Sequence, residues 1–555
     1  MKLSSLFLGL SAIVEAHDEE YHPSIRKKGE KIEVTWPVEE EKEGYWRDVG
    51  KERLRKMQQK PEIKGKAKNA ILFIGDGMGV PSVTAGRILA GGEGHVSSME
   101  SLDYTGLVKT YNVDYQTPDS AGTATAYLTG VKGNYGTVGI TAAGRRGDCQ
   151  SQLGNEVQSV LEKAKAAGKS VGFVTTTYVN HASPSGVFGK SAERTWYSDK
   201  RMKQDPNVSD KDMEDCKDLA LQLFEHDDID VIMGGGREFF VDRLDGRNLI
   251  QEWKDDGNVT LVETESELRK AMDNLTLEQR LIGIYADRHL EYEYVREKFA
   301  PEEPQLRLMA EAAIKKLSLN PNGFYLFVEG GKIDLAHHDT MPVNDGSLYD
   351  WKEFDTMIGN SLEMVNLNET IVMVSADHSH TFSIGAYGKR GENIFGPGSQ
   401  TSPDGENVMI LGYANGPGYN IHEKTDQYGN VTCGRRLPSE YSDEWDTDKP
   451  FADLLAPTAV RTYSDESWDP SGEYIETHGA EDVPVYAQGP WAHLMTGTHE
   501  QVMVAHVMEF ALCIGDYAEE PHCNEAETEK DEDGSASGKI LSSMIIMFLG
   551  LLFMN

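Results

Sequence analysis

Short, mostly apolar runs punctuate the chain from residue 69 onward: Ala70 to Ile74, Val171 to Thr175, Ile229 to Met233, Phe324 to Val328 and Thr370 to Val374. Runs of this length suit strands buried on both faces. Between them lie stretches of helical period: Glu156 to Ala167, Leu306 to Leu317 and Phe354 to Val365. The first of these runs into Gly168, a residue well suited to end a helix. Strands alternating with helices predict an α/β fold with a mostly parallel central sheet flanked by helices.

The residues just beyond each apolar run bring chemistry into the picture. After the first comes Gly75-Asp76-Gly77-Met78-Gly79, and after the second His181-Ala182-Ser183. The run at 324–328 leads into Glu329-Gly330-Gly331, then Asp334 and His338; the last leads into Asp377-His378. Sites in open α/β sheets lie beyond the carboxyl ends of the strands, so these carboxylates and histidines are expected to converge. Taken singly, each has an ordinary structural reading: a turn aspartate at 76, a helix cap at 377, a surface histidine at 338. The glycines around Asp334 and His338 favour a loop there over a helical metal motif.

Outside this alternation the pattern loosens. Residues 17–66 are highly charged and read as a helical arm. From 386 to 475 the periodicity dissolves into Gly, Pro, Asp, Tyr and Ser, which predicts a loop-rich insert between the two parts of the main body, 67–385 and 476–515. Regular structure resumes at Asp482 to Ala487, and a helix over Glu500 to Leu512 closes the body.

The termini read as processing signals. Lys2, the apolar stretch Leu3 to Val14 and the small residue Ala16 make residues 1–16 a signal peptide. An acidic linker spans 516–539 and includes the small residues Gly534 to Gly538; the apolar tail 540–555 comes after it. That is the pattern of a glycolipid anchor signal attached near Ser535, the tail being short for a span of about 20 residues. Five sequons, at Asn207, Asn258, Asn274, Asn368 and Asn430, agree with the secretory route and an extracellular, membrane-anchored location. So do five cysteines without a CxxC pair, which favour disulfides over a thiolate metal site. The net charge of −37 argues against a nucleic-acid partner. An anionic substrate would need local positive charge from metals and an arginine.

One further segment carries chemistry: Thr117-Pro118-Asp119-Ser120-Ala121-Gly122-Thr123-Ala124. The small residues after Ser120 suggest a helix, whose first turn offers free N–H groups and the positive dipole end to an anion. Serine is also a common helix cap. No G-x-S-x-G elbow surrounds it, which disfavours an acyl hydrolase.

These residues fall within a longer resemblance. The motifs FIGDGMG, PDSAGTATAY, VTTTYVNHASP, RTWYSD, FVEGGKIDLAHHD, SADHSH, THGAEDV and GPWAHL, together and in this order over roughly residues 45 to 515, make the chain resemble the eukaryotic alkaline phosphatases, and the anchored animal enzymes most. The resemblance implies hydrolysis of phosphate monoesters by a homodimer holding two zinc ions and one magnesium. It makes Ser120 the nucleophile and Arg194 the phosphate clamp. It gives one zinc to Asp334, His338 and His493, the other to Asp377, His378 and Asp76, and magnesium to Asp76, Ser183 and Glu329, with His181 in the outer shell. It pairs Cys149 with Cys216 and Cys513 with Cys523, leaving Cys433 free, and makes 386–475 the family's crown. Ser183, Glu329 and Arg194 argue against a sulfatase or phosphodiesterase relative, and the full ligand set against a non-catalytic surface receptor on the same fold. Three departures stand out, the first being a segment from Arg237 to Arg247 that is shorter than in the vertebrate enzymes. Ala286 replaces a glutamate of an additional calcium site, and the interval from His378 to His493, 115 positions, is longer than in the family.

Overall fold

The computed structural model describes residues 37–60, 62–342, 346–401, 407–416, 421–425, 431–435, 458–460 and 475–524. The signal peptide, Asn430, Ser535 and the apolar tail lie outside the described residues.

A ten-stranded sheet organises the body. Its strands are β1 (Asn69–Gly75), β2 (Tyr104–Lys109), β3 (Ser170–Tyr178), β4 (Val231–Gly235), β5 (Val259–Val262), β6 (Arg280–Ile284), β7 (Phe324–Gly330), β8 (Thr370–Ala376), β9 (Val483–Gln488) and β10 (Gly497–Glu500). They lie in the order β10-β2-β9-β8-β1-β7-β3-β4-β6-β5. Every pairing from β8 to β5 is parallel. Beyond β8, β9 runs antiparallel to both β8 and β2. Each predicted apolar run sits in one of these strands, displaced by a few residues. β1, β7 and β8 carry almost unbroken apolar sequence because both their faces are covered.

Helices cover the two faces. Those that matter below are α1 (Glu43–Gln58), α2 (Val80–Gly91), α3 (Ser120–Thr129), α4 (Val160–Ala166), α5 (Leu306–Leu317), α6 (Lys332–His338), α7 (Ser347–Glu363) and α8 (Met503–Leu512). The predicted helix from Glu156 starts later because Ser159 caps it. The Ser159 side chain takes the Glu162 N–H while the Glu162 carboxylate takes the Ser159 N–H. α5 matches the predicted span. α1 buries none of its residues and leaves Trp46, Val49, Leu54 and Met57 exposed.

The stretch from 386 is less irregular than its composition suggests. A three-stranded sheet joins Phe382–Ile384, Leu411–Asn415 and Thr458–Val460, and two antiparallel pairs join Pro397–Thr401 with Asn407–Met409 and Ile421–Thr425 with Val431–Arg435. Cys433 falls in the last pair. Bridges join Cys149 to Cys216 and Cys513 to Cys523. Asn207, Asn258, Asn274 and Asn368 are exposed. Among the described residues, no helix is long and apolar enough to cross a membrane.

Candidate metal and nucleophile site

Four adjacent parallel strands, β8, β1, β7 and β3, end at one edge of the sheet, and their continuations supply the site. β1 delivers Asp76 and β8 delivers Asp377 and His378. β7 ends around Glu329, and β3 leads to His181 and Ser183. The turn after β1 is crowded: Gly77 has φ of +68°, and a Cβ there would lie 2.4 Å from His380 Nε2. Only glycine admits Asp76 to this centre.

Asp334 and His338 stand on helix α6, not on the loop expected from the flanking glycines. Gly330 and Gly331 belong to the strand end and the helix cap, and the helix begins at once, so a four-residue spacing aims both side chains the same way.

His493, expected as the third ligand beside them, is placed elsewhere. It packs against Trp491 and Tyr104 and senses the charges of Glu62 and Lys64. The position is taken by His478. Its Nε2 lies 3.0 Å from His338 Nε2 and 3.4 Å from Asp334 Oδ1, while His338 Nε2 is 3.5 Å from the same oxygen. His478 arrives on a two-residue strand paired with Ser379–His380. Its place in the motif THGAEDV was the available signal, along with the overlong interval to His493.

The protonation pattern of this trio points to a cation. His338 Nδ1 faces the Glu476 carbonyl at 2.6 Å and His478 Nδ1 the Pro118 carbonyl at 2.8 Å. A carbonyl only accepts, so both Nδ1 atoms carry the hydrogen in the neutral rings and both Nε2 atoms present lone pairs. Burial holds His338 below its ordinary pKa. Two lone pairs and a carboxylate oxygen facing one another repel unless a positive ion lies among them.

A second group forms around His378. Its Nδ1 faces the Ser379 carbonyl at 3.2 Å, so its Nε2 again presents a lone pair. That atom is 3.1 Å from Asp377 Oδ2 and 3.4 Å from Asp76 Oδ1, two buried oxygens with no hydrogen-bond partner. Burial, then the charges of Asp377, Asp334 and Glu329, push the Asp76 pKa well up. So many buried carboxylates cannot all ionise without a counter-charge.

A third group joins Asp76, Glu329 and His181, with Ser183 Oγ 3.4 Å from Asp76 Oδ2. Thr175 and Thr177 both donate to Glu329 Oε2, which leaves Oε1 buried and unpartnered. Burial lifts the Glu329 pKa to about 7 and lowers that of His181 to about 3. The three donor sets suit metal ions: nitrogen and oxygen around the first two, mostly oxygen at the third. By contrast, the carboxylates near Ala286 are engaged by arginines, Glu263 and Asp287 by Arg237 and Glu238 by Arg288.

Sequence reasoning also passed over His380 and Glu476. His380 donates to Asp334 Oδ1 at 2.7 Å through Nε2 and to Glu476 Oε2 through Nδ1. Burial opposes its charge, but Glu476 and Asp334 overcome that and lift its pKa to about 10. The doubly protonated ring fixes which oxygen of Asp334 is committed, as outer-shell groups do at metal centres.

The nucleophile candidate adjoins this cluster. Ser120 opens α3, and its Oγ is 3.1 Å from His378 Nε2. Asp119 caps the helix by accepting from Ala121 N and Gly122 N at 3.2 and 3.1 Å, and takes Gly136 N at 2.8 Å. The same carboxylate holds buried Arg194, whose Nη1 lies 3.0 Å away and whose Nε has no partner. One residue thus fixes both the serine's helix and the guanidinium beside it.

The comparisons agree with this geometry. The family model described as alkaline phosphatase matches residues 67–514. The alkaline phosphatase of Gadus morhua is 41% identical over 509 residues, covering 86% of this chain and 99% of that protein. The tissue-nonspecific isozyme of Homo sapiens is 39% identical over 548 residues, covering 93% and 96%. Among solved structures, the Thermus thermophilus alkaline phosphatase aligns with a TM-score of 0.56 at 22% identity, over 82% of this chain and 93% of that one. The enzyme of the Antarctic bacterium TAB5 aligns with a TM-score of 0.54 at 18% identity, over 81% and 99%; both show the fold. A family match across the whole sheet and its strand-end cluster, with animal relatives matched over nearly their full length, establishes that this chain belongs to the alkaline phosphatase family, as a hydrolase of the animal type.

Proposed function

We propose that the chain hydrolyses phosphate monoesters through a phosphoserine at Ser120, in a site taking two zinc ions and one magnesium. The observation that carries this reading is the set of buried, unpartnered oxygens of Asp76, Asp377 and Glu329 beside the Ser120 hydroxyl. Asp334, His338 and His478 would hold one zinc, Asp377, His378 and Asp76 the other, and Asp76, Ser183 and Glu329 the magnesium, with His181 beyond it. When bound, such ions supply Lewis acidity and make hydroxyl groups more acidic. Arg194 binds two phosphoryl oxygens with its planar fork, and Asp119 keeps that fork in place. Ser120 gives up its hydroxyl proton and its Oγ bonds to phosphorus as the ester P–O bond breaks; the departing alkoxide takes up a proton from solvent and leaves as the alcohol. Water then breaks the Oγ–P bond, restoring the hydroxyl and releasing phosphate. Acid quenching during turnover of a labelled ester tests this: label is expected on the Ser120 peptide. A protein that turns over with no label on that peptide refutes the intermediate.

The chain is further assigned to the cell surface as a glycolipid-anchored homodimer. The anchor rests on the sequence pattern around Ser535, the dimer on the exposed apolar side chains of α1. Phosphatidylinositol-specific phospholipase C is expected to release the activity from membranes. Activity that stays with the membrane, with residues 540–555 retained by mass analysis, would show a true span.

A further inference from the structure

The insert 386–475 reaches the cluster through contacts that the mechanism above leaves unused. Its strand Leu411–Asn415 lies in the three-stranded sheet, and Tyr413 and Asn415, two positions apart, share one face of it. Tyr413 is buried, and its hydroxyl meets His337 Nδ1 at 2.7 Å. His337 is fully buried on α6, between the donors Asp334 and His338. Its other nitrogen, Nε2, meets Ser82 Oγ on α2 at 2.9 Å. Either tautomer of a neutral imidazole offers one donor and one acceptor, and a hydroxyl can answer both, so the ring is held from two sides. α6 has only seven residues, too few to be stable unaided. Its rotation, which carries Asp334 and His338 together, is therefore set by such contacts.

Asn415 reaches the remaining donor of the same set. Its Nδ2 donates to Thr477 Oγ1 at 2.9 Å, and its Oδ1 accepts the Thr477 N–H at 3.0 Å. Thr477 stands between Glu476, whose carbonyl faces His338 Nδ1, and His478. A two-point grip on the residue before His478 fixes the backbone from which that ring projects. The next residue of the insert is Gly416, with φ of +134°; a Cβ there would lie 2.5 Å from Thr340 and 3.0 Å from Glu476. The insert backbone thus presses against both segments that carry the first donor set. Among the described residues, neither Tyr413 nor Asn415 hydrogen-bonds to the second set, Asp76, Asp377 and His378.

We propose that the insert strand Leu411–Asn415 is a template for the first donor set, with Tyr413 and Asn415 as positioning residues that set how tightly this one site holds its metal. The inference rests on the reading of Asp334, His338 and His478 as a zinc site. Tyr413 works through His337 on the helix of Asp334 and His338, and Asn415 works through Thr477 on the segment of His478. Groups that orient metal ligands without touching the ion govern its affinity. Disturbing this strand accordingly loosens one zinc and spares the other, which makes the insert part of the metal machinery.

Tyr413→Phe removes one oxygen and keeps the ring that packs on Phe382, centroids 5.1 Å apart. Asn415→Ala, at a half-buried position, removes the grip on Thr477. Either variant alone decides the matter. Zinc is titrated against a competing chelator in the full-length parent and variants with magnesium present, and visible spectra are taken after cobalt(II) replaces zinc. Outer-shell changes typically cost 10–100-fold in affinity, so each variant is expected to hold one of its two zinc ions about tenfold more weakly and the other within twofold of the parent. The cobalt bands of the weakened site are expected to change in position or intensity, because the donors around it have turned. A purely structural role would lower the unfolding temperature of the metal-free protein and leave both zinc affinities and the cobalt spectrum as in the parent, and that result overturns the proposal. Equal weakening of both zinc ions overturns it too, since the effect is then not confined to one donor set. A parent that takes up fewer than two zinc ions per chain removes the two-zinc reading itself and the inference with it. A parent with two zinc ions, beside variants within twofold of it at both sites, removes the inference alone.

Discussion

Ser120→Ala is expected to lower kcat for a simple aryl phosphate by roughly 10³-fold or more, while the protein stays folded and keeps the metals proposed for it. Losing a nucleophile removes the covalent route outright, and what remains is the rate that binding and electrostatics sustain without it. The fold tolerates the change for a specific reason. The cap of α3 is the Asp119 carboxylate, which takes Ala121 N and Gly122 N, so the Ser120 side chain bears no share of it. The substitution deletes the 3.1 Å hydrogen bond between Oγ and His378 Nε2. A single hydrogen bond of this kind is worth about 1 kcal/mol, and alanine is the better helix former. Stopped assays, metal analysis and thermal unfolding on the same preparation check the three parts together. Near-parental kcat sinks the nucleophile assignment. Loss of activity accompanied by loss of metal would show that Ser120 serves the cluster rather than the ester.

The central sheet was readable because strands buried on both faces leave little room for polar residues. Ala70 to Ile74 and Phe324 to Val328 therefore stood out as apolar blocks, and the residues just beyond them marked the site edge. β2, β5, β6 and β10 did not stand out; β6, though buried throughout, opens on Arg280 and carries Gly283, which cut its apolar run to Leu281-Ile282. β5 buries only Val262 fully and β10 lies at the sheet edge, so their sequences stay mixed. The loop reading of Asp334 and His338 failed for a local reason: glycines beside a strand end suggest flexible chain, but here they serve close packing and a helix cap. His380 and Glu476 were invisible because neither touches the reacting groups. Their importance comes from a chain of hydrogen bonds between residues 96 positions apart. The middle stretch read as loops because its short strands alternate too briefly to register as a pattern.

His478→Ala and His493→Ala are expected to part company, and the first carries the second of the two largest effects. His478 Nε2 faces His338 Nε2 and Asp334 Oδ1, so its removal would take one of three donors from the zinc proposed there. Its other nitrogen donates to the Pro118 carbonyl, two residues before Ser120, which ties that donor to the loop entering the nucleophile helix. The same short segment presents the Glu476 carbonyl to His338, so one backbone path both supplies a ligand and orients another. Deleting the ring should then cost one zinc per chain at moderate chelator concentration and lower kcat/KM by roughly 10²-fold or more, a direct donor being worth at least the 10–100-fold that outer-shell partners contribute. His493 sits between Trp491 and Tyr104 near Glu62, away from all three donor sets. Its removal should leave zinc content intact and kcat/KM within about twofold, the behaviour of a packing residue far from the chemistry. Zinc measured by mass spectrometry across a chelator series, with activity followed in parallel, separates the two. Zinc lost from His493→Ala and retained in His478→Ala would restore the ligand set that the resemblance alone implied, and would mean that the 476–478 segment packs differently in the metal-bound enzyme.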